Sequence, residues 1–254
     1  MAINEHRELP PATGEEEIKS LSQKSLKKKE KEMEIRPLSK LGKPLRLLLK
    51  TNIAITLIAV LIGLYDYYTY TTLPAGFDSN ETIFPSDIAV AVVGVVQTVL
   101  LIIIGIVFLL WIYRINKNLH TLSDQQMRFS PGWSVGWYFI PIANLFKPYQ
   151  VMKEIWYVSQ KNKTTTHSLV SWWWFLWIVS AIVGRLAAKL SMRAETTEDY
   201  AISALTYVAS DGIDIILNIV ALILVTRIET AYYENFSEQN APLRQSPDTP
   251  DSSS

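Results

Sequence analysis

Arg128 to Trp156 reads RFSPGWSVGWYFIPIANLFKPYQVMKEIW. The stretch is apolar enough to enter a membrane, yet too short and too broken to cross one. Trp133 to Phe146 is fourteen residues, which as a helix would extend ~21 Å, against a hydrocarbon core of ~30 Å. Pro131-Gly132 precedes it, Pro141 interrupts it and Lys147-Pro148 ends it. Each proline removes a backbone donor and disfavours a continuous helix. Lipid cannot satisfy the backbone groups so freed, so protein or water must. The expectation is a re-entrant or interfacial hairpin. Asn144 is suited to help there, because its amide both donates and accepts. After Pro148 an amphipathic helix is expected, with Val151, Ile155 and Val158 on one face and Lys153 and Lys161 elsewhere.

The flanking sequence supplies the spans that this stretch is not. About half of the 254 residues are apolar, and they collect in long runs, which a bilayer demands and a soluble core does not. Spans are expected at about 45–68, 87–112, 169–190 and 202–226. Ser86-Asp87 offers an N-cap for the second. Its helical pattern continues through Arg114, Lys117 and Leu119, so this helix should project beyond the bilayer. The fold class is therefore an all-α integral membrane protein. Four transmembrane helices are joined by a cytoplasmic re-entrant or interfacial hairpin and an amphipathic helix, over 131–160. Residues 1–43 read as a polar, basic cytoplasmic tail, 44–234 as the membrane domain, and 235–254, rich in Ser, Pro, Asp and Gln, as a disordered cytoplasmic tail.

Orientation follows from the basic residues. Residues 1–50 hold twelve Lys and Arg against eight Glu. The segment from Arg114 to Lys163 is also basic, whereas the linker from Thr71 to Asp87 has three acidic residues and no Lys or Arg. The positive-inside rule puts both termini and the central segment in the cytoplasm. All eight Trp fall on the cytoplasmic side of this topology and Tyr dominates the other. The run Lys27-Lys28-Lys29-Glu30-Lys31 suits anionic lipid as a partner.

Three pieces of the sequence resemble the bacterial membrane-protein family known as domain of unknown function 4328. One is Trp111-Ile112-Tyr113-Arg114 with Asn118-Leu119. The second runs from Arg128-Phe129-Ser130-Pro131-Gly132-Trp133 through Gly136-Trp137 and Ile140 to Leu145, then Lys147-Pro148-Tyr149-Gln150 and Glu154-Ile155-Trp156. The third is Trp172, Trp173 and Trp174 with Trp177. The resemblance covers 45–234. It implies a multi-span membrane domain and supplies no catalytic residue.

Two residue sets are candidates for function. The first is a cytoplasmic platform of Arg128, Pro131, Trp133, Gly136, Trp137, Pro141, Asn144, Lys147, Pro148, Glu154 and Trp156. The second is a polar layer of Asp66, Gln97, Arg185, Asp211 and Asp214. Helical rise sets the first four of these ~24–26 Å above the cytoplasmic boundary, with Asp214 slightly deeper. Charges at membrane depth face a partner or a pathway, and Arg185 is expected to bridge Asp66 and Asp211 or Asp214. Gly94, Gly105 and Gly184 should permit close helix contacts.

Other chemistries find little support. The chain has no cysteine, so disulfides and thiolate sites are excluded. The start of the sequence lacks an apolar signal-peptide region. His6, His120 and His167 lie outside the spans, against a buried haem. Tyr65-Asp66 and Gly212-Ile213-Asp214 only faintly resemble an intramembrane aspartyl protease, and the second lacks the preceding glycine. No cofactor, metal or nucleic-acid partner is expected. The expected function is a non-enzymatic platform that binds a protein or lipid partner at the cytoplasmic Trp/Pro-rich segment. The alternative is a small transporter or channel using the polar layer, and an intramembrane enzyme ranks third.

Overall fold

Four apolar helices organise the chain, because long runs of Leu, Ile and Val satisfy every backbone group internally only as helices. A computed structural model describes residues 37–74, 77, 84–123, 126–160 and 166–240, with side chains through 236. Helix α1 is Ser39–Thr72, α2 is Pro85–Leu122, and the short α3 is Pro131–Gly136. Two 3₁₀ turns follow, Trp137–Phe139 and Ala143–Leu145. Then come α4 at Lys147–Ser159, α5 at Ser168–Ser191 and α6 at Thr197–Asn240. No strand occurs among the described residues. α1, α2, α5 and α6 are each long and apolar enough to cross a membrane. Their outer faces carry exposed apolar side chains such as Leu61, Val95, Leu101 and Ile182, as helices solvated by lipid do. The protein is an all-α membrane protein of four spans.

The helix lengths explain the architecture. α5, with 24 residues, is ~36 Å long and little more than spans the core. α2, with 38 residues, is ~57 Å long and must project. At the projecting end the helices are sealed together. Leu45, Trp111, Ile115, Ile155, Ile228 and Tyr232 lie in one buried cluster with no more than 1 % exposure each. α4 joins this core through Val151, Met152, Ile155, Trp156 and Val158. Burying each large apolar side chain contributes about 1.5–3 kcal/mol, which fixes the amphipathic helix against the bundle. Tyr149 Oη to Ser171 Oγ (3.1 Å) and Tyr157 Oη to His167 Nδ1 (2.6 Å) pin it to the start of α5.

The other half of the bundle is looser. α1 packs on α6, α6 on α5 and α2 on α1, while α2 stands off from α5 and α6. α1 and α6 meet closely at Gly63, where an added Cβ would lie 2.8 Å from Val208 Cγ2. Gly184 faces Ser210 at 3.6 Å by the same construction. Gly94 and Gly105 were expected to seat helices but face open space, because α2 is the helix that stands off.

Three boundaries differ from the sequence expectation. Ser86 is not the cap of α2. The helix starts at Pro85, and Asp87 reaches back to accept the Phe84 N–H at 2.8 Å, while Ser86 is buried with its hydroxyl beside Asp66. α1 begins at Ser39, inside the stretch read as tail, because Leu38 and Leu45 are drawn into the core. α6 runs past Asn235 to Asn240, and Asn235 donates to the Ser159 carbonyl at 2.9 Å. The Lys27–Lys31 run lies outside the described residues.

Candidate functional site

The Trp/Pro-rich segment does not form one helix. Its longest helical piece is the six-residue α3, and the chain then turns so that the two 3₁₀ turns meet each other and α4. Prolines set the breaks: Pro131 and Pro148 each occupy a first-turn position, where a missing N–H costs nothing. The Ile140 carbonyl beside Pro141 accepts the backbone N–H of Asn144 at 2.7 Å. The amide side chain of Asn144 was expected in that role, but its Oδ1 is buried without a partner.

Several platform residues brace the segment rather than face outward. Glu154 on α4 accepts the backbone N–H groups of Arg128 (2.5 Å) and Phe129 (3.2 Å). His120 Nε2 meets the Phe129 carbonyl at 2.9 Å. The Lys147 ammonium lies over the rings of Phe129 (5.8 Å) and Trp137 (5.4 Å), a cation–π contact between the two arms of the fold. Trp133 and Trp137 pack at 4.7 Å. Gly136 gives them room, since an added Cβ would sit 3.2 Å from the Trp133 ring. Trp156 is buried with its indole N–H unpartnered. Tyr138 likewise has no partner for its hydroxyl, and burial raises its phenol above the ordinary range, so it stands as a neutral donor.

What the segment exposes is apolar. Phe139 is 73 % exposed, Ile142 78 %, Phe146 60 % and Trp133 53 %. Except for Trp133, these residues were not singled out from the sequence. The signal was present, as apolar residues on both sides of a helix-breaking proline, but only the fold shows that they are left uncovered.

The polar layer divides into parts. Gln97 Nε2 donates to Asp211 Oδ1 at 3.1 Å and lies 3.4 Å from Thr56 Oγ1. Asp214 accepts from Ser180 Oγ. Asp66 is 7 % exposed and its Oδ1 has no hydrogen-bond partner. Arg185 does not bridge any of these carboxylates; it is exposed and forms no ion pair with them. The reason is angular. Ser180 points toward α6, and Arg185, five residues on, is turned ~140° from it at ~100° per residue.

Gln97 and Asp211 form part of the wall shared by two cavities. One, of about 550 Å³, is also lined by Asp66, Tyr70, Asp87 and Tyr200. The other, of about 940 Å³, occupies the gap between α2 and α5, with Asp214, Asn218 and Ser180 on its polar side and Tyr138, Trp173 and Trp177 toward the platform.

A half-buried ion pair was missed by the sequence reading. Glu229 is 3 % exposed. It accepts the Trp111 Nε1–H at 2.9 Å and pairs with Arg46. The chain of Gly42 passes so close that a Cβ there would collide with the Glu229 carboxylate. Arg46 and Glu229 are 183 positions apart, so no local spacing marks them.

The family described as a domain of unknown function, DUF4328, matches residues 76–230. The chain belongs to this family. No curated protein and no solved structure matches it. The DUF4328 region takes in α2, the Trp/Pro-rich segment, α4, α5 and most of α6. It therefore includes Gln97, Asp211, Asp214 and Glu229. α1 lies ahead of it, carrying Asp66 and Arg46. The match is narrower than the 45–234 resemblance and leaves α1 outside it.

Proposed function

We propose that this DUF4328 protein is a non-enzymatic membrane platform whose Trp/Pro-rich segment lies in the bilayer interface and binds lipid there. The exposed apolar set Trp133, Phe139, Ile142, Leu145 and Phe146 carries the reading. The fold holds these side chains outward on a braced segment, and water is a poor solvent for them. Tryptophan and cation pairs suit the headgroup layer, and Trp133 and Trp137 with Lys147 make such a pair. The charge distribution supports a cytoplasmic location for the platform and both termini, and the family resemblance suggests a bacterial plasma membrane. A protein partner on the same face is the competing occupant.

The native chain is free of cysteine, so one thiol placed at Ile142 can carry a fluorophore in lipid nanodiscs. Strong quenching by lipids brominated near the headgroup supports the reading. Quenching only by an aqueous quencher refutes it and leaves the face to a protein. Maleimide labelling of single cysteines at positions 80 and 162 tests orientation, with reaction from outside the cell expected at 80 alone.

A second reading is favoured by the Gln97–Asp211 hydrogen bond, which lies where the two cavities meet. In it, a solute passes along the bundle and this pair is the gate. Flux into liposomes abolished by Asp211→Asn supports it, and flux unchanged by that substitution removes it.

A further inference from the structure

Among the described residues, the smaller cavity is lined by three carboxylates, Asp66, Asp87 and Asp211, and by no Lys, Arg or His. Two of the three have neutral donors. Asp87 accepts from Tyr70 Oη at 2.8 Å and caps α2, and Asp211 accepts from Gln97. Asp66 is more than nine-tenths buried, with the Ser86 hydroxyl beside it and its Oδ1 outside hydrogen-bond distance of any donor. An uncompensated buried carboxylate is costly, and the cost is relieved by a cation. The rest of the wall is aromatic and aliphatic. Tyr70 and Tyr200 stack at 5.1 Å, and Tyr207, Ile62 and Val90 add to the lining.

We infer that this cavity binds a small organic cation, an ammonium group with an apolar body, seated against Asp66. Size and lining decide the class. A space of about 550 Å³ far exceeds one inorganic ion. Among the described residues no three His, Cys, Asp or Glu side chains converge as metal ligands. Aromatic walls beside carboxylates are the usual surroundings of quaternary and primary ammonium groups. The cation comes either from a soluble amine or from a lipid headgroup. The inference stands apart from the interfacial platform and claims binding, not transport.

The test uses the full chain in phosphatidylglycerol nanodiscs, titrated calorimetrically with choline at constant ionic strength. Its neutral isostere, with carbon in place of the ammonium nitrogen, is the control. Saturable choline binding is expected, with the isostere weaker by about tenfold or more, the loss of one close charge interaction. Asp66→Asn should weaken choline to a similar degree and Asp211→Asn should also weaken it. Asp214→Asn should leave it unchanged, because Asp214 lines the other cavity only. Elution profile and melting temperature check that each variant is folded. Equal affinity for the isostere, an unaffected Asp66→Asn variant, or no saturation overturns the inference. Repeating the titration in phosphatidylethanolamine discs separates the sources: weakened choline binding assigns the site to a headgroup, and unchanged binding assigns it to a soluble ammonium.

Discussion

Replacing Glu229 with alanine removes the acceptor shared by Trp111 and Arg46. Trp111 is fully buried, so its indole N–H is left without water or protein, a loss of about 1–3 kcal/mol. The missing aliphatic stem adds about 1 kcal/mol of lost packing. Arg46 is less affected. Its side chain is 28 % exposed and can turn to water, so the broken ion pair adds only about 0.5–1 kcal/mol. The sum is about 2.5–5 kcal/mol, large for one substitution. At about 2–4 °C per kcal/mol for a chain of this size, the melting temperature should fall by about 10 °C. Tryptophan fluorescence during heating of the detergent-solubilised protein, at one fixed scan rate, reads this directly. Trp111→Phe deletes the donor and keeps an aromatic, though smaller, side chain in the core. In the Glu229→Ala background it should therefore cost less than alone, with a coupling of about 1–2 kcal/mol. A Glu229→Ala variant melting within about 1 °C of the parent, or two strictly additive substitutions, would refute the reasoning.

Other substitutions probe the platform and the helix contacts. Glu154→Ala should release the Arg128 and Phe129 amides, at about 1–2 kcal/mol locally, seen as faster tryptic cleavage after Arg128. Gly136→Ala should push Trp133 off Trp137 and lower stability by about 1 kcal/mol, with a changed tryptophan emission as the second readout. Gly63→Ala and Gly94→Ala should differ in sign. The first forces Val208 to shift and should cost about 1–2 kcal/mol. The second meets nothing and should be neutral, or stabilising by up to about 1 kcal/mol from helix propensity, in parallel melting curves.

Much of the fold was legible because it is set locally. Run length decides whether a helix crosses a bilayer, and the four expected spans each lie inside an observed helix. The projecting end of α2 and the buried face of α4 followed from helical periodicity. The bracing of the Trp/Pro-rich segment was only half legible. Its proline breaks are local, but Glu154 acts on amides 25 and 26 positions away. Height along a helix is also local, so the polar residues could be set at one level. The direction in which each points is not. Arg185, set at the level of Asp66 by helical rise alone, is exposed and pairs with none of the carboxylates, whereas Gln97 finds Asp211 across 114 positions.

The sequence by itself determined that the chain is an all-helical membrane protein with four long apolar helices and a broken apolar segment that forms no fifth. Hydrophobic length and proline position suffice for that, because the bilayer imposes both. Only the tertiary structure decided where the molecule is dry and where it is hollow. The sealed core at the platform end, the Arg46–Glu229–Trp111 cluster and the two cavities arise from how far α2 stands from α5 and α6. That spacing is set by side chains meeting across helices distant in sequence, and no pattern within one helix records it.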